Sequence, residues 1–476
     1  MVGSAHPTPH RQTRVTKLDF INRAKRPIRR MASSHPHRAR WLAGLVVVGL
    51  ALVLRLTVVA VLGTSLDDDR DAYLGLARGL VAGDGFVSPG SHTPTAYRPP
   101  AYPLFVALIF ASGGGSLALG VAQALLGSLS VGITWWLGTR LGTSRLDGAA
   151  VGLISGLFVA LEPLSLANTA LAMTETLATT LLVAWIATLL SPPTTITLAC
   201  VAGLAAGLGL LCRPIFLPVI ALGLAWSLCT SRRSSDHPSP HSLLTRHNVP
   251  LSEKTLLLVV GLVAGLTLAP WAVRNQLVFG RPLLTTTHGG YTLLLGHNDV
   301  YYAEVVNGPP GAVWERDSLE QWQQQLDQDL AAEGIAADDE FARDTACSQR
   351  AWANIRENPP LAFRAGLSLL GRFWSLAPRS TAERPLPMPV LWAIALFNVL
   401  LFSAALVGLT VLWKGDRTTA ITLALPLLVF TALHSLYWSD QRMRAPLVSL
   451  LALLAAVGLV TLGHALRSPA RPGSTT

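Results

Sequence analysis

Long apolar runs alternate with short polar turns along most of this chain. The runs at Trp41–Gly63, Leu117–Gly138, Thr169–Leu190, Lys254–Val273, Met388–Trp413, Thr418–Tyr437 and Ala445–Leu466 approach or exceed the ~20 residues that cross a bilayer as a helix. Gly148–Ala160, Thr197–Leu211 and Pro214–Cys229 are shorter runs of the same kind. Together they predict an all-α polytopic membrane protein with about ten transmembrane helices. A barrel is excluded, because its strands alternate in segments of about ten residues and these runs are continuously apolar.

Two polar regions interrupt the pattern. The first runs from Leu66 to Pro103, directly after the first apolar run. It holds Asp67, Asp68 and Asp69 in a row and Asp71 just beyond. Asp71–Ala82 has helical spacing, with Ala72, Leu76 and Leu80 sharing a face with Tyr73, and Gly83 and Gly85 end it. Tyr97, Arg98 and the Pro99-Pro100 pair follow, then a short apolar piece, Ala101–Ala111. The second region runs from Arg274 to about Pro387. Trp314–Pro360 reads there as one or two amphipathic helices, and Leu361–Trp374 as a segment along the membrane surface.

The expected domains are a basic tail (1–40), a membrane module (41–273) containing an outer loop (64–103), a mainly helical outer region (274–387), C-terminal membrane helices (388–466) and a short tail (467–476).

Composition agrees with a membrane chain. Charged residues are 13% of the total, against roughly a quarter in soluble domains. The net charge of +10 collects in the N-terminal tail and at helix ends, which suits membrane topology better than nucleic acid. With the N-terminus inside, nearly every inside turn carries Arg or Lys, and the large outside region has an acidic middle from Glu315 to Asp344. The last outside turn, Ser439–Arg444, breaks the rule with Arg442 and Arg444. A charge kept against topology bias suggests work to do. The four cysteines have no metal-type spacing, and no metal or cofactor is expected. The missing organelle signals favour a bacterial inner membrane, with the site facing the periplasm or exterior.

Several segments carry a resemblance. Asp69-Arg70-Asp71-Ala72-Tyr73 presents an Asp-x-x-x-Tyr after the first helix. Thr95–Pro103, Thr174-Glu175-Thr176, Pro270–Asn275 with Phe279-Gly280, and Gln441–Pro446 follow in order. Together they resemble the GT-C superfamily of polytopic glycosyltransferases, nearest the branch with protein O-mannosyltransferases and the lipid A aminoarabinose transferase. The resemblance implies a GT-C type fold and transfer of a sugar from a polyprenyl-phosphate donor to an acceptor hydroxyl of a glycan, lipid or protein, with inversion. It implies an Asp base: Asp69, or its neighbours Asp68 and Asp71. Tyr73, Tyr97, Arg98, Glu175, Arg274, Arg442 and Arg444 are the expected binding residues for donor phosphate or substrate. A positioned carboxylate can take the hydroxyl proton, and arginines suit the leaving phosphate.

The residues alone leave plainer readings open. An Asp run at a helix exit fits a solvated flank, Arg98 an interface anchor, and Glu175 a charge suited to a helix N-terminus. Arg274, Arg442 and Arg444 also fit headgroup contacts. The other class in contention is a transporter or flippase of lipid-linked saccharides. It predicts ionisable groups near the bilayer midplane, whereas these helices are almost free of charge.

Overall fold

The computed structural model describes residues 36–143, 146–191, 194–234, 252–309, 311–378 and 386–467. The N-terminal tail, Arg145, most of residues 230–253 and the C-terminal tail lie outside the described residues. Contacts divide the chain into residues 1–43 and one compact unit, residues 44–476.

All ten expected helices form: α1 (Pro36–Leu62), α4 (Ser116–Arg140), α5 (Gly148–Leu161), α7 (Glu175–Leu190), α8 (Ile196–Cys212), α9 (Phe216–Ser234), α10 (Glu253–Phe279), α15 (Met388–Gly415), α16 (Arg417–His434) and α17 (Val448–Arg467). Between them lie α2 (Tyr73–Ala82), α3 (Ala101–Ala111), α6 (Pro163–Asn168), α11 (Gly289–Gly296), α12 (Arg316–Ala332), α13 (Glu340–Glu357) and α14 (Pro359–Phe373). No strand forms among the described residues, only two isolated bridges. Six helices are long and apolar enough to cross a membrane by length and composition. Large apolar side chains such as Leu125, Leu258, Leu262, Leu396 and Leu406 face outward on these helices. A surface of that kind suits lipid, and the chain is an integral membrane protein.

The boundaries differ from the expected ones for local reasons. α7 starts at Glu175 rather than Thr169, because a short helix capped by Glu162 through the Ser165 N–H precedes it. α2 starts at Tyr73 rather than Asp71, because Ala72 adopts a left-handed conformation, φ 65°. Gly83, φ 88°, ends α2 as expected.

α17 is the centre of the bundle. It falls in the most buried of the six candidate spans, 83% of the apolar window against 22–50% for the others. It meets α15 backbone to backbone: a Cβ on Gly408 would lie 1.8 Å from the Leu454 carbonyl oxygen, and one on Gly458 would lie 2.2 Å from that of Ala404. Small residues let membrane helices approach this closely.

Candidate active site

The turn between α1 and α2 sorts its carboxylates. Asp67 accepts from the Ser116 hydroxyl, and Asp68 pairs with Arg70 at 3.3 Å near the surface. Asp69 accepts the Leu74 N–H (2.8 Å) and the Gly75 N–H (2.7 Å), one on each carboxylate oxygen. It thereby satisfies N–H groups of the first turn of α2 that have no helical partner. The left-handed Ala72 then lets Asp71 face a different set of groups.

Asp71 sits between two arginines. Arg98 Nη2 donates to one carboxylate oxygen at 3.1 Å and Arg442 Nη2 to the other at 3.3 Å. Arg98 Nε also donates to the Asp71 main-chain oxygen at 3.0 Å. Burial pushes the Asp71 carboxyl up, but Arg442 and Arg98 together outweigh it and hold the group below its ordinary value. Asp71 is therefore a firmly ionised counter-ion.

The row of charges continues. Arg442 Nη1 lies 3.8 Å from Glu175, and Arg213 Nη2 donates to the same Glu175 oxygen at 2.7 Å. Arg213 Nε is held by the Thr174 hydroxyl at 2.8 Å. Arg98, Asp71, Arg442, Glu175 and Arg213 thus alternate in sign, three guanidinium groups against two carboxylates. The members come from the first polar loop, the start of α7, the end of α8 and the turn before α17, all at one end of the bundle. Glu175 is only 1% exposed, whereas Arg442 keeps 29% of its side chain open.

Aromatic rings frame the row. The Arg98 guanidinium lies 5.6 Å from the Tyr73 ring centroid and 5.3 Å from that of Tyr97, within cation–π range. His288 meets the remaining side of Arg98, with Nε2 3.2 Å from Nη1. Arginine can only donate, so His288 Nε2 accepts and the ring carries its proton on Nδ1. Burial first, and then Arg98, lowers the His288 pKa to about 3.

Two of the expected binding residues lie apart from this row, as do the candidate bases Asp68 and Asp69. Arg274 donates to the Thr95 and Phe86 carbonyl oxygens at 2.8 Å each and packs over Phe86, Trp271 and Phe279. It fastens the first loop to α10. Arg444 is buried against the Phe373 and Ser375 carbonyl oxygens (3.0 and 2.9 Å), with Asn398 Oδ1 at 3.3 Å. These partners make it a packing anchor rather than a member of the row. Glu175 is no plain N-terminal charge either, given its two arginine neighbours.

Sequence reasoning missed three contributors. Arg213 is legible as a lone charge between two apolar helices, followed by Pro214. His288 stands directly before Gly289-Gly290 in the second polar region, a setting that gives no sign of its contact with Arg98. Arg55, inside α1, is 1% exposed and reaches only the Val159 and Ala51 carbonyl oxygens, at 3.3 and 3.5 Å. It corrects the picture of spanning helices almost free of charge.

A cavity of about 380 Å³ adjoins the row. Its wall includes Ala72, Tyr97 and Arg98 from the first loop, and Gln323, Asp327 and Arg343 from α12 and α13. Among the described residues no group of three or more His, Cys, Asp or Glu is placed to hold a metal ion.

No protein-family model and no curated protein matches the chain. Among solved structures it is similar to the archaeal oligosaccharyltransferase AglB from Archaeoglobus fulgidus, in complex with an inhibitory peptide and a dolichol-phosphate. That match has 13% identity and a TM-score of 0.47, and covers 91% of this chain and 52% of that one. The chain thus spans about half the length of that protein. It is also similar to ArnT from Cupriavidus metallidurans bound to undecaprenyl phosphate, at 15% identity and a TM-score of 0.36, covering 89% of this chain and 78% of that one. The apo state of the same ArnT gives 15% identity and a TM-score of 0.35, covering 87% and 77%.

Proposed function

We propose that this chain is a GT-C type glycosyltransferase that moves a sugar from a polyprenyl phosphate to an acceptor hydroxyl, on the membrane face expected to lie outside. The observation that carries the reading is the alternating row ending in Arg98 and Arg213, with its excess of positive charge at the end of an apolar bundle. A lipid phosphate needs both an apolar flank for its chain and guanidinium donors for its head.

The geometry supports the following roles. Arg442, the most open of the three arginines, binds the donor phosphate with support from Arg213. Asp71 is the counter-ion that orients Arg98 and Arg442, because a carboxylate held low by two arginines is a weak base. Asp69 is taken as the base on the Asp-x-x-x-Tyr resemblance, and two backbone N–H donors hold its carboxylate in place. The acceptor oxygen attacks the anomeric carbon, and its proton passes to Asp69. The bond from that carbon to the phosphate oxygen breaks, its electron pair leaves with the polyprenyl phosphate, and the anomeric centre inverts. The arginines stabilise the charge that develops on the leaving group.

The test is transfer of radiolabelled sugar from a panel of polyprenyl-phosphate sugars by the protein in membranes, beside Asp69→Asn. Transfer that disappears in the variant supports the reading. No turnover with any donor, in a well-inserted protein, overturns it and favours the transporter reading, for which the buried Arg55 is the one structural observation.

A further inference from the structure

The cavity beside Arg98 has a chemistry unlike that of the charged row. Three carboxylates line it, Asp327, Glu340 and Asp344, with Arg343 among them. Each carboxylate is already engaged within the protein. Glu340 accepts from the Thr95 hydroxyl, the Ala96 N–H (2.9 Å) and the Thr287 hydroxyl (2.8 Å). Asp344 accepts the Gly290 N–H at 2.6 Å, and Asp327 pairs with Arg343. An anionic guest therefore meets net negative charge, and a cationic guest finds its counter-ions in use. The remaining wall suits hydroxyl groups. Ser88, Tyr97, Tyr291 and Gln323 line it, Tyr291 bonded to Gln323, and hydroxyl and amide groups of this kind both donate and accept. About 380 Å³ stands at the low end of ligand sites, which run from ~300 to 1,000 Å³.

We propose that this cavity is the acceptor subsite and that it takes an uncharged saccharide of one or two rings. The proposal rests on the glycosyltransferase reading, and it separates the two substrates: lipid phosphate at Arg442, acceptor sugar across Arg98. Arg98 forms part of the cavity wall while bonded to Asp71, so the two subsites share one guanidinium.

The experiment uses the full chain in nanodiscs and calorimetric titration with three sets of probes. These are a panel of uncharged methyl hexosides and disaccharides, the charged comparators glucosamine and glucose 6-phosphate, and undecaprenyl phosphate. Two variants accompany wild type. Gln323→Ala removes a polar group, and Ala337→Trp fills the cavity from an exposed rim position where folding is undisturbed. The expected result is binding of an uncharged saccharide, weakened about tenfold or more in both variants, with undecaprenyl phosphate affinity unchanged. Saccharide affinity unaltered by Ala337→Trp overturns the proposal. So does binding of the charged comparators alone. Undecaprenyl phosphate bound with no saccharide bound overturns the acceptor subsite and leaves the donor reading standing. Failure of undecaprenyl phosphate itself to bind counts against the glycosyltransferase reading, and the acceptor proposal falls with it.

Discussion

Asp71 and Arg442 are 371 positions apart in the chain, and their side chains meet at 3.3 Å. Asp71 is a counter-ion here, so Asp71→Asn leaves three arginines facing Glu175 alone. Undecaprenyl phosphate is expected to bind as well as or better than to wild type, while turnover falls about tenfold or more because Arg98 and Arg442 lose their aim. Donor titration alongside single-turnover kinetics checks both directions. A variant that loses donor affinity instead contradicts the assignment.

Asp69→Asn keeps an oxygen for one of the two backbone N–H donors and loses the basic site. Turnover is expected to fall by roughly 10²–10⁴, the range of a general base, with donor affinity within about twofold of wild type. Normal turnover in this variant moves the base elsewhere.

Arg442 and Arg444 stand two residues apart and separate cleanly. Arg442→Gln weakens donor binding and barely moves the melting temperature, since its side chain is 29% open. Arg444→Gln takes the guanidinium donor from the Phe373 and Ser375 carbonyl oxygens, of which Ser375 keeps Gln441 Nε2 at 3.1 Å, and costs about 1–3 kcal/mol of stability. Thermal denaturation beside donor titration tells the two apart.

His288 supplies a pH signature. Its folded pKa of about 3 lies below the ordinary 6.5, so the unfolded chain binds the extra proton between those values. Stability is therefore complete above about pH 6.5 and falls as the pH drops, with a slope of up to about 1.4 kcal/mol per pH unit. Asp71, also lowered, adds to this loss only below its ordinary 3.8. His288→Gln is expected to reduce the slope of the melting temperature between pH 6 and about 4, the remainder coming from His297, which burial also holds below its ordinary value. An unchanged slope in that variant rules the histidine out.

Arg55 packs into the notch at Gly127, where an added Cβ would lie 2.3 Å from its Nε. Gly127→Ala is expected to cost about 1–3 kcal/mol through overpacking. Arg55→Met, which removes a buried charge that makes no ion pair within 4 Å among the described residues and interacts with Glu162 only at longer range, is expected to be neutral or stabilising. Melting temperatures of the two variants in one detergent make the comparison.

The helices were legible because a membrane span announces itself by length and apolarity, and all ten runs became helices. The polar loop was legible as a concentration of Asp, Tyr and Arg. The partnerships were not. Beyond the Asp-x-x-x-Tyr spacing, nothing separates the surroundings of Asp69 from those of Asp71, since the left-handed Ala72 between them is a backbone choice an alanine does not advertise. Arg213 was visible as a charge, but its pairing with Glu175 depends on how α7 and α8 pack. Glu340 lies among many acids on amphipathic helices, and only the folded chain shows it holding Thr95, Ala96 and Thr287.

The backbone contact at Gly408 and Gly458 leaves no side chain between α15 and α17 over which one helix can slide. Arg442 rides on the segment at the head of α17 and inherits that stiffness. Asp71 and Arg98 belong to a loop fastened by Arg274 on one side and by the polar grip of Glu340 on the other. The site is thus held on one side by backbone contact between helices and on the other by polar bonds. If the chain carries out the proposed transfer, opening of the site is expected in the first loop, where hydrogen bonds can exchange, rather than at the last helix.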